Sequence, residues 1–215
     1  MNAKPQRLAP SVPPYFSLED AVEIKNRWFL NGLRNSSGVV LDSQELTRGH
    51  EFAATNSIRL SLRDKAQVVE VPFPLQLGMR RSGASLDFTF ADFDLPVVSE
   101  RVGNLLGAIA GPDIQRFPVR IDGVKGKFEI INVVRLIDCI DIRRSEIQWY
   151  EPDNDIRPDL AGKPEMITKL RIKSDVVNGS DIFRLSDWKI ALIVSDRVRS
   201  AFAKAKVSGV SFSQV

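Results

Sequence analysis

Hydrophobic and polar residues alternate in many short runs along this chain. At 117–121, apolar Phe, Val and Ile are separated by Pro and Arg, which is the two-residue period of a strand with one buried face. Similar alternation, or a short apolar run, predicts further strands at 38–41, 57–62, 68–71, 86–90, 128–139, 166–172, 182–185, 190–194 and 210–212. Pro72 and Pro74 follow the run at 68–71, so we expect that strand at the edge of a sheet.

Three other stretches carry hydrophobic residues three and four positions apart, as on one face of an α-helix. They start after Ser17, Ser99 and Ser195, and an acidic residue follows each serine closely, which favours the positive end of a helix. We expect the first helix to reach about residue 30 and the second to stop at Gly111 and Pro112. Since strands outnumber helices, the predicted fold class is α+β, with mostly antiparallel strands and a few short helices.

One short sequence occurs twice. VSERV at 98–102 and VSDRV at 194–198 share the order Val, Ser, acid, Arg, Val, and each begins a predicted helix. A duplicated unit would explain the repeat and would give the chain two similar halves. Common helix-capping chemistry would also explain it, because a serine followed by an acid suits many helix starts. Both interpretations are open at the level of sequence.

The N-terminal segment differs from the rest of the chain. Its many prolines argue against a helix, so we expect an extended arm over 1–16. We divide the remainder into an N-terminal α+β half at 17–114 and a C-terminal α+β half at 115–215. No apolar run follows the positive charges of the arm, and no stretch approaches the roughly 20 apolar residues of a membrane span. We therefore expect a cytoplasmic protein without a membrane partner.

Composition and charge indicate an ordinary globular protein. Hydrophobic residues make up 43% of the 215 positions and charged residues 27%, which allows a sizeable core. The 30 basic and 27 acidic residues nearly balance, so no strong positive field argues for nucleic acid as a partner. The compact basic pairs Arg80-Arg81 and Arg143-Arg144 keep a nucleic-acid-binding module as one alternative.

Candidate catalytic residues are sparse. His50 is the single histidine and Cys139 the single cysteine, so neither a zinc site nor a Ser-His-Asp arrangement is expected. No glycine-rich phosphate loop occurs, and we predict no cofactor and no metal. Asp138 and Asp141 keep a carboxylate-dependent hydrolase as a second alternative. The prediction is that the protein is not an enzyme.

An aromatic pair borders an acidic stretch. Trp149 and Tyr150 are followed by Glu151, Asp153 and Asp155. Exposed aromatic residues are enriched at interaction hot spots, and acids around them would suit a basic partner. Packing of the tryptophan in the core, beside a solvated acidic loop, is the competing interpretation. We single out these residues as a hypothetical partner-binding site.

Several short pieces of the C-terminal half resemble a known family. They are INVV at 131–134, DCID at 138–141, RSE at 144–146, IFRL at 182–185, VSDRV at 194–198 and GVSF at 209–212. Over about residues 115–215, this order resembles the immunity protein family Imm11, which was formerly classed as a domain of unknown function and occurs beside bacterial polymorphic toxins. The resemblance implies a cytoplasmic antidote that binds and neutralises a cognate protein toxin without catalysis.

The resemblance also marks individual residues for which we expect mainly structural roles. These are Asp138, Asp141, Ser145, Phe183, Arg184, Ser195, Gly209 and Phe212. For the two aspartates and the first serine, this role would be to close a turn between strands, with toxin contact as the other option. The phenylalanines are expected to fill the core, and the arginine is a candidate partner for a carboxylate. The second serine would begin a helix, and the glycine would end the turn after it.

Overall fold

The computed structural model describes residues 15–17, 51–54, 67–70, 75–91, 95–153, 158–210 and 212–215, and of 15–17, 51–54, 80, 81 and 213 it describes the backbone. The strands are β1 (Tyr15–Ser17), β2 (Glu51–Ala54), β3 (Leu75–Arg81), β4 (Phe88–Ala91), β5 (Leu95–Ser99), β6 (Ile114–Ile121), β7 (Phe128–Val133), β8 (Leu136–Ile137), β9 (Glu146–Trp149), β10 (Pro164–Lys169), β11 (Ile182–Leu185), β12 (Leu192–Ser195) and β13 (Ser213–Gln214). The α-helices of these ranges are α1 (Glu100–Ala110) and α2 (Asp196–Lys204). Strands supply most of this regular structure, which confirms the predicted α+β class. Ser17 ends β1, and the rest of the helix expected up to about residue 30, together with the strands expected at 38–41 and 57–62, lies outside the described residues.

Six strands close into a barrel in the order β2, β3, β6, β7, β5, β4. Most neighbours are antiparallel, whereas β3 runs parallel to β6 and β2 runs parallel to β4. Phe117, Val119 and Ile121 of β6 are buried in one cluster with residues of β3, β5 and β7. Pro118 and Arg120 between them are exposed. The alternation at 117–121 therefore predicted this strand and its buried face correctly.

The segment 67–70 lies against the barrel without joining it as a strand. Val69 packs against the buried barrel cluster, its N–H donates to Gln115 Oε1 at 2.9 Å, and its carbonyl accepts from Gln115 Nε2 at 3.1 Å. Asn132 Nδ2 donates to the carbonyl of Gln67 at 2.8 Å. The strand expected at 68–71 is thus wrong for residues 68–70, because side-chain amides of β6 and β7 satisfy the backbone groups that a ladder would otherwise have paired.

A five-stranded sheet follows the order β13, β1, β12, β11, β8. Its strands β11 and β12 correspond to the apolar runs predicted at 182–185 and 190–194. One buried cluster contains residues of this sheet, of the barrel and of both α-helices, including Phe88, Val102, Ile131, Val194 and Phe202. The barrel, the sheet and the helices consequently share this cluster, which we call the shared core.

Both described α-helices start where the sequence predicted. Ser99 and Ser195 have the extended backbone of a helix N-cap, and Ser195 Oγ accepts the N–H of Val198 at 3.4 Å. Gly111 ends α1, as expected. Both serine hydroxyls donate to a carboxylate, and the two helix starts differ in that Ser99 makes no cap hydrogen bond.

The repeated pentapeptide forms the same arrangement twice. In each copy an aspartate, a serine and an arginine meet, and these residues are Asp87, Ser99 and Arg101 in the first and Asp181, Ser195 and Arg197 in the second. The aspartate directly precedes the first strand of an antiparallel pair, and its carbonyl accepts the serine N–H, at 2.8 Å in one copy and 3.0 Å in the other. Its carboxylate also accepts the serine hydroxyl and the arginine guanidinium. The likeness therefore extends beyond helix capping to a whole strand–strand–helix unit.

The end of the chain differs from the strand expected at 210–212. β13 comes later, at Ser213–Gln214, whereas Val210 and Phe212 pack against the shared core. The Phe212 ring lies edge-on to Phe202, with ring centroids 6.2 Å apart. The strand expected there is absent at Val210 and Phe212, because these side chains are accommodated by packing on the core, for Phe212 against Phe202 of α2, and need no ladder of their own.

Candidate partner-binding surface

Strands β9 and β10 form a separate antiparallel ribbon. Ile147 of β9 lies opposite Ile167 of β10, and both pack against a buried cluster that contains Cys139 and Phe183. Such an anchor is needed because an isolated two-stranded ribbon is at best marginally stable in water. Sequence analysis did not predict β9, although the alternation of EIQW at 146–149 was the signal for it.

The predicted patch lies where β9 ends. Trp149 is the last residue of β9 and 38% of it is exposed, whereas Tyr150 is half-buried. Glu151 and Asp153 follow and are exposed. We call these four residues the aromatic–acidic surface. Asp155, the fifth predicted member, lies outside the described residues.

Electrostatics distinguish this part of the chain from the rest. Residues 146–169 contain six acidic and three basic residues, a net charge of −3, so the remaining residues of a chain with net charge +3 carry +6. Glu146 pairs with Lys169 at 3.5 Å, and Glu165 accepts a hydrogen bond from Gln148 at 2.8 Å. Among the described residues, the aromatic–acidic surface has no ion pair of its own. Its two carboxylates are therefore available to a cationic partner.

The turn that leads into β9 holds two residues of the family pattern, and a third precedes it. The N–H of Asp141 donates to the carbonyl of Arg171 at 2.8 Å, and its carboxylate accepts the N–H of Arg143 at 3.2 Å. Ser145 Oγ donates to the carbonyl of Arg171 at 3.1 Å and accepts its N–H at 2.9 Å. Asp138 lies exposed just before this turn. The turn is thus tied to the segment that follows β10.

The remaining residues of the pattern lie mostly in the interior. Phe183 is fully buried in the cluster under the ribbon. Arg184 is also buried, and its Nη1 donates to the carbonyls of Lys189 at 2.7 Å and Ile190 at 3.2 Å. Gly209 has a φ of +90°, a conformation that favours glycine. The pairing of the arginine with a carboxylate stays a prediction.

The single cysteine and the arginine pairs are the other candidate groups that the sequence offered. Burial, followed by the charge of Asp138, raises the pKa of Cys139 to about 12, which disfavours the reactive thiolate. No group of three or more His, Cys, Asp or Glu side chains within the described ranges could hold a metal ion. Arg143 and Arg144 are exposed on the turn before β9. His50 and the side chains of the other arginine pair lie outside what the structure describes.

No helix in the described part of the chain is long and apolar enough to cross a membrane.

Comparison with known proteins assigns this architecture to a family. The sequence pattern of an immunity protein family, Imm11, matches residues 6–215. The match covers nearly the whole chain and so extends well beyond the segment 115–215 in which the resemblance was first seen. None of the curated proteins matches the chain.

Proposed function

Because the chain belongs to the immunity protein family Imm11, we propose that it binds and neutralises a cognate bacterial toxin in the cytoplasm, without catalysis. The family match over residues 6–215 is the observation that carries this proposal. An inhibitor of this kind needs a complementary surface and no reacting groups. The raised pKa of the buried Cys139 thiol is compatible with such a role.

The surface that we propose for toxin binding is the aromatic–acidic surface. Trp149 combines a large apolar area with low conformational entropy, and it is exposed enough to be covered by a partner. Glu151 and Asp153 beside it would form the charged rim of the interface. This arrangement, an aromatic anchor with acids around it, suits a toxin surface with lysine and arginine side chains.

The charge distribution supports a basic partner. An acidic segment on a chain that is otherwise positive sets up a local field that orients an approaching cation. We expect the association rate to fall as salt is added, because exposed charges are screened over about 10 Å at 0.1 M salt. The dissociation rate should depend mainly on the aromatic contact.

The proposal is tested by capturing the partner with the tagged chain from a lysate of its native cells. The captured protein is then expressed alone and together with the chain, and growth is measured. We expect one stoichiometric partner that is toxic alone and harmless in the presence of the chain. A captured partner that is harmless alone, or one whose toxicity persists in the complex, would refute the proposed function.

Surface variants locate the contact. Trp149→Ala and Glu151→Lys should each weaken toxin binding at least tenfold, as hot-spot substitutions commonly do. Glu70→Lys makes the same change of charge at another exposed position, in the segment beside the barrel, and should leave affinity unchanged. Equal affinity of all three variants and the unmodified chain would place the toxin on another surface.

A further inference from the structure

One edge of the ribbon is interrupted, whereas the other is regular. On β10, the register with β9 skips Glu165 and Thr168, so two bulges interrupt it, although both side chains hydrogen-bond to residues of β9. Its first residue is Pro164 and its last is Lys169, both of which discourage pairing with a further strand. β9 carries no bulge, no proline and no lysine. Proteins commonly protect the strand edges that no partner uses, and here the edge of β9 is unprotected.

The hydrogen bonds of Tyr150 determine which backbone groups face that edge. Its N–H donates to the carbonyl of Lys163 at 3.0 Å, and its carbonyl accepts the N–H of Gly162 at 3.1 Å, so both groups point to the β10 side. Backbone groups alternate in direction along a strand, so those of Ile147 and Trp149 point away from β10. Within the described ranges β9 pairs with β10 alone. These N–H and C=O groups therefore form an open edge.

We propose that an extended toxin segment bearing lysine or arginine adds to the open edge of β9 as a third strand of the ribbon. The inference rests on the proposed function and specifies how the contact is made. Backbone hydrogen bonds of Ile147 and Trp149 supply affinity in this mode, and alternate side chains supply specificity. Glu151 follows β9, is exposed and has no ion pair among the described residues, so it can meet a cationic side chain of the added segment, whereas Glu146 at the other end of the strand already pairs with Lys169 at 3.5 Å.

A second copy of this chain is the competing occupant, and charge argues against it. Pairing of two β9 edges would bring the carboxylates of Glu146, Glu151 and Asp153 close to those of the other copy. Like charges across neighbouring strands are destabilising. A segment of opposite charge gains from the same carboxylates, and the acidic ribbon therefore favours a basic toxin segment over self-association.

The test is hydrogen exchange of single backbone amides, followed by NMR in the free chain and in the complex with the toxin recovered by capture. In the free chain, the amides of Ile147 and Trp149 should exchange faster than that of Tyr150. In the complex, both should slow at least tenfold, since each gains a hydrogen-bond acceptor. Unchanged exchange at both amides, in a complex that still suppresses toxicity, would overturn the inference and leave the proposed function standing.

A pair of variants isolates the backbone contribution. Trp149→Ala removes the side chain, and Trp149→Pro removes the side chain and the edge-facing N–H, which a strand edge tolerates. The proline variant should bind the toxin more weakly than the alanine variant, by up to about tenfold, because it lacks one backbone hydrogen bond to the added strand. Equal affinities of the two variants, with both folded by circular dichroism, would contradict strand addition.

A synthetic peptide of alternating lysine and valine separates failure of the inference from failure of the proposed function. If no toxin is found, the proposed function fails, and the peptide alone then tests the edge. Shifts of the Ile147 and Trp149 amide signals on titration, absent with a peptide of alternating glutamate and valine, would support an edge that accepts basic strands. Absence of shifts with both peptides would overturn the inference as well.

Discussion

Asp87 and Ser208, 121 residues apart in sequence, bond to each other through backbone and side chain. The carboxylate of Asp87 accepts the N–H of Ser208 at 3.0 Å and its hydroxyl at 2.9 Å, and Ser208 Oγ accepts the N–H of Asp87 at 3.0 Å. Arg101 donates to the same carboxylate and to the carbonyl of Ala205 at 2.9 Å. One aspartate thus joins β4, the start of α1 and the turn after α2.

The Asp87 carboxylate should make the stability of the folded protein depend on pH. Burial alone would raise the pKa of Asp87, but the hydrogen bonds from Arg101, Ser208 and Ser99 outweigh burial and lower it from 3.8 to about 2. A carboxyl group with a lowered pKa in the folded state stabilises the protein above its unfolded pKa, and the contribution is lost as pH falls through the folded value. The difference between the two pKa values corresponds to a contribution of about 2 kcal/mol to the free energy of unfolding.

We therefore expect Asp87→Asn to lower the free energy of unfolding by about 2 kcal/mol at pH 7. The difference in the free energy of unfolding between the variant and the unmodified chain should become smaller as pH falls from 4 towards 2. Urea denaturation at a series of pH values measures both effects. Asp122→Asn is the control, because this exposed carboxylate accepts a single described side-chain hydrogen bond, from Gln76 at 2.6 Å. A difference in the free energy of unfolding that stays constant with pH would contradict the stabilising role of the ionised Asp87 carboxylate.

The two repeated serines should differ in their effect on stability. Ser195 is buried, donates to Asp181 at 2.5 Å and caps α2, whereas Ser99 is half-buried and makes no cap hydrogen bond. Ser195→Ala should therefore cost about 1–2 kcal/mol, the usual range for a lost cap, and Ser99→Ala less. Chemical denaturation compares them, and an equal or larger loss for Ser99→Ala would be the contrary result.

Gly209 should not tolerate a side chain. Its φ of +90° is unfavourable for alanine, and a Cβ there would lie 2.1 Å from the backbone oxygen of Phe88. Gly209→Ala should lower stability by more than about 2 kcal/mol or abolish soluble expression. Gly111→Ala is the matched control, since Gly111 has a helical conformation and a Cβ added there would meet no atom within 4 Å, and it should be neutral or slightly stabilising. A thermal melt of Gly209→Ala that matches the unmodified chain would contradict the close contact.

The single cysteine should be unreactive in the folded protein. Cys139 is buried, and its pKa of about 12 leaves almost no thiolate at pH 8. Alkylation by iodoacetamide should therefore proceed only as fast as the region opens and should become rapid in urea. Stoichiometric labelling of the native chain within minutes would show that the thiol is accessible.

Much of this fold could be predicted because strands and helices with one buried face leave a periodic pattern. The alternation of β6 and the repeated starts of α1 and α2 are such cases. Residues 68–70 were misassigned to a strand because valines suit both a strand and a coil that packs on a barrel. Hydrogen bonds between the backbone of this segment and the side-chain amides of Gln115 and Asn132 favour the coil over the strand. These amides are distant in sequence, and their positions are known only from the folded chain.

The candidate surface was predicted in part for a similar reason. Exposed aromatic and acidic residues can be recognised in sequence, which singled out Trp149 and its neighbours. The open edge of β9 could not be recognised, since it depends on the register with β10 and on the two bulges that Glu165 and Thr168 create. The aspartates that complete the repeated units also lie 12 and 14 residues before their serines, too far for a local pattern to reveal them.

The most direct test of the central claim, that the chain neutralises a toxin by binding it, is a titration of the captured toxin with the purified chain. Residual toxin activity is measured at each molar ratio, and the mass of the complex is determined at the end point. The account predicts a loss of activity that is linear in added chain and complete at a fixed stoichiometric ratio, with both proteins intact. Complete loss at a small fraction of that ratio would indicate turnover by the chain and would contradict neutralisation by binding.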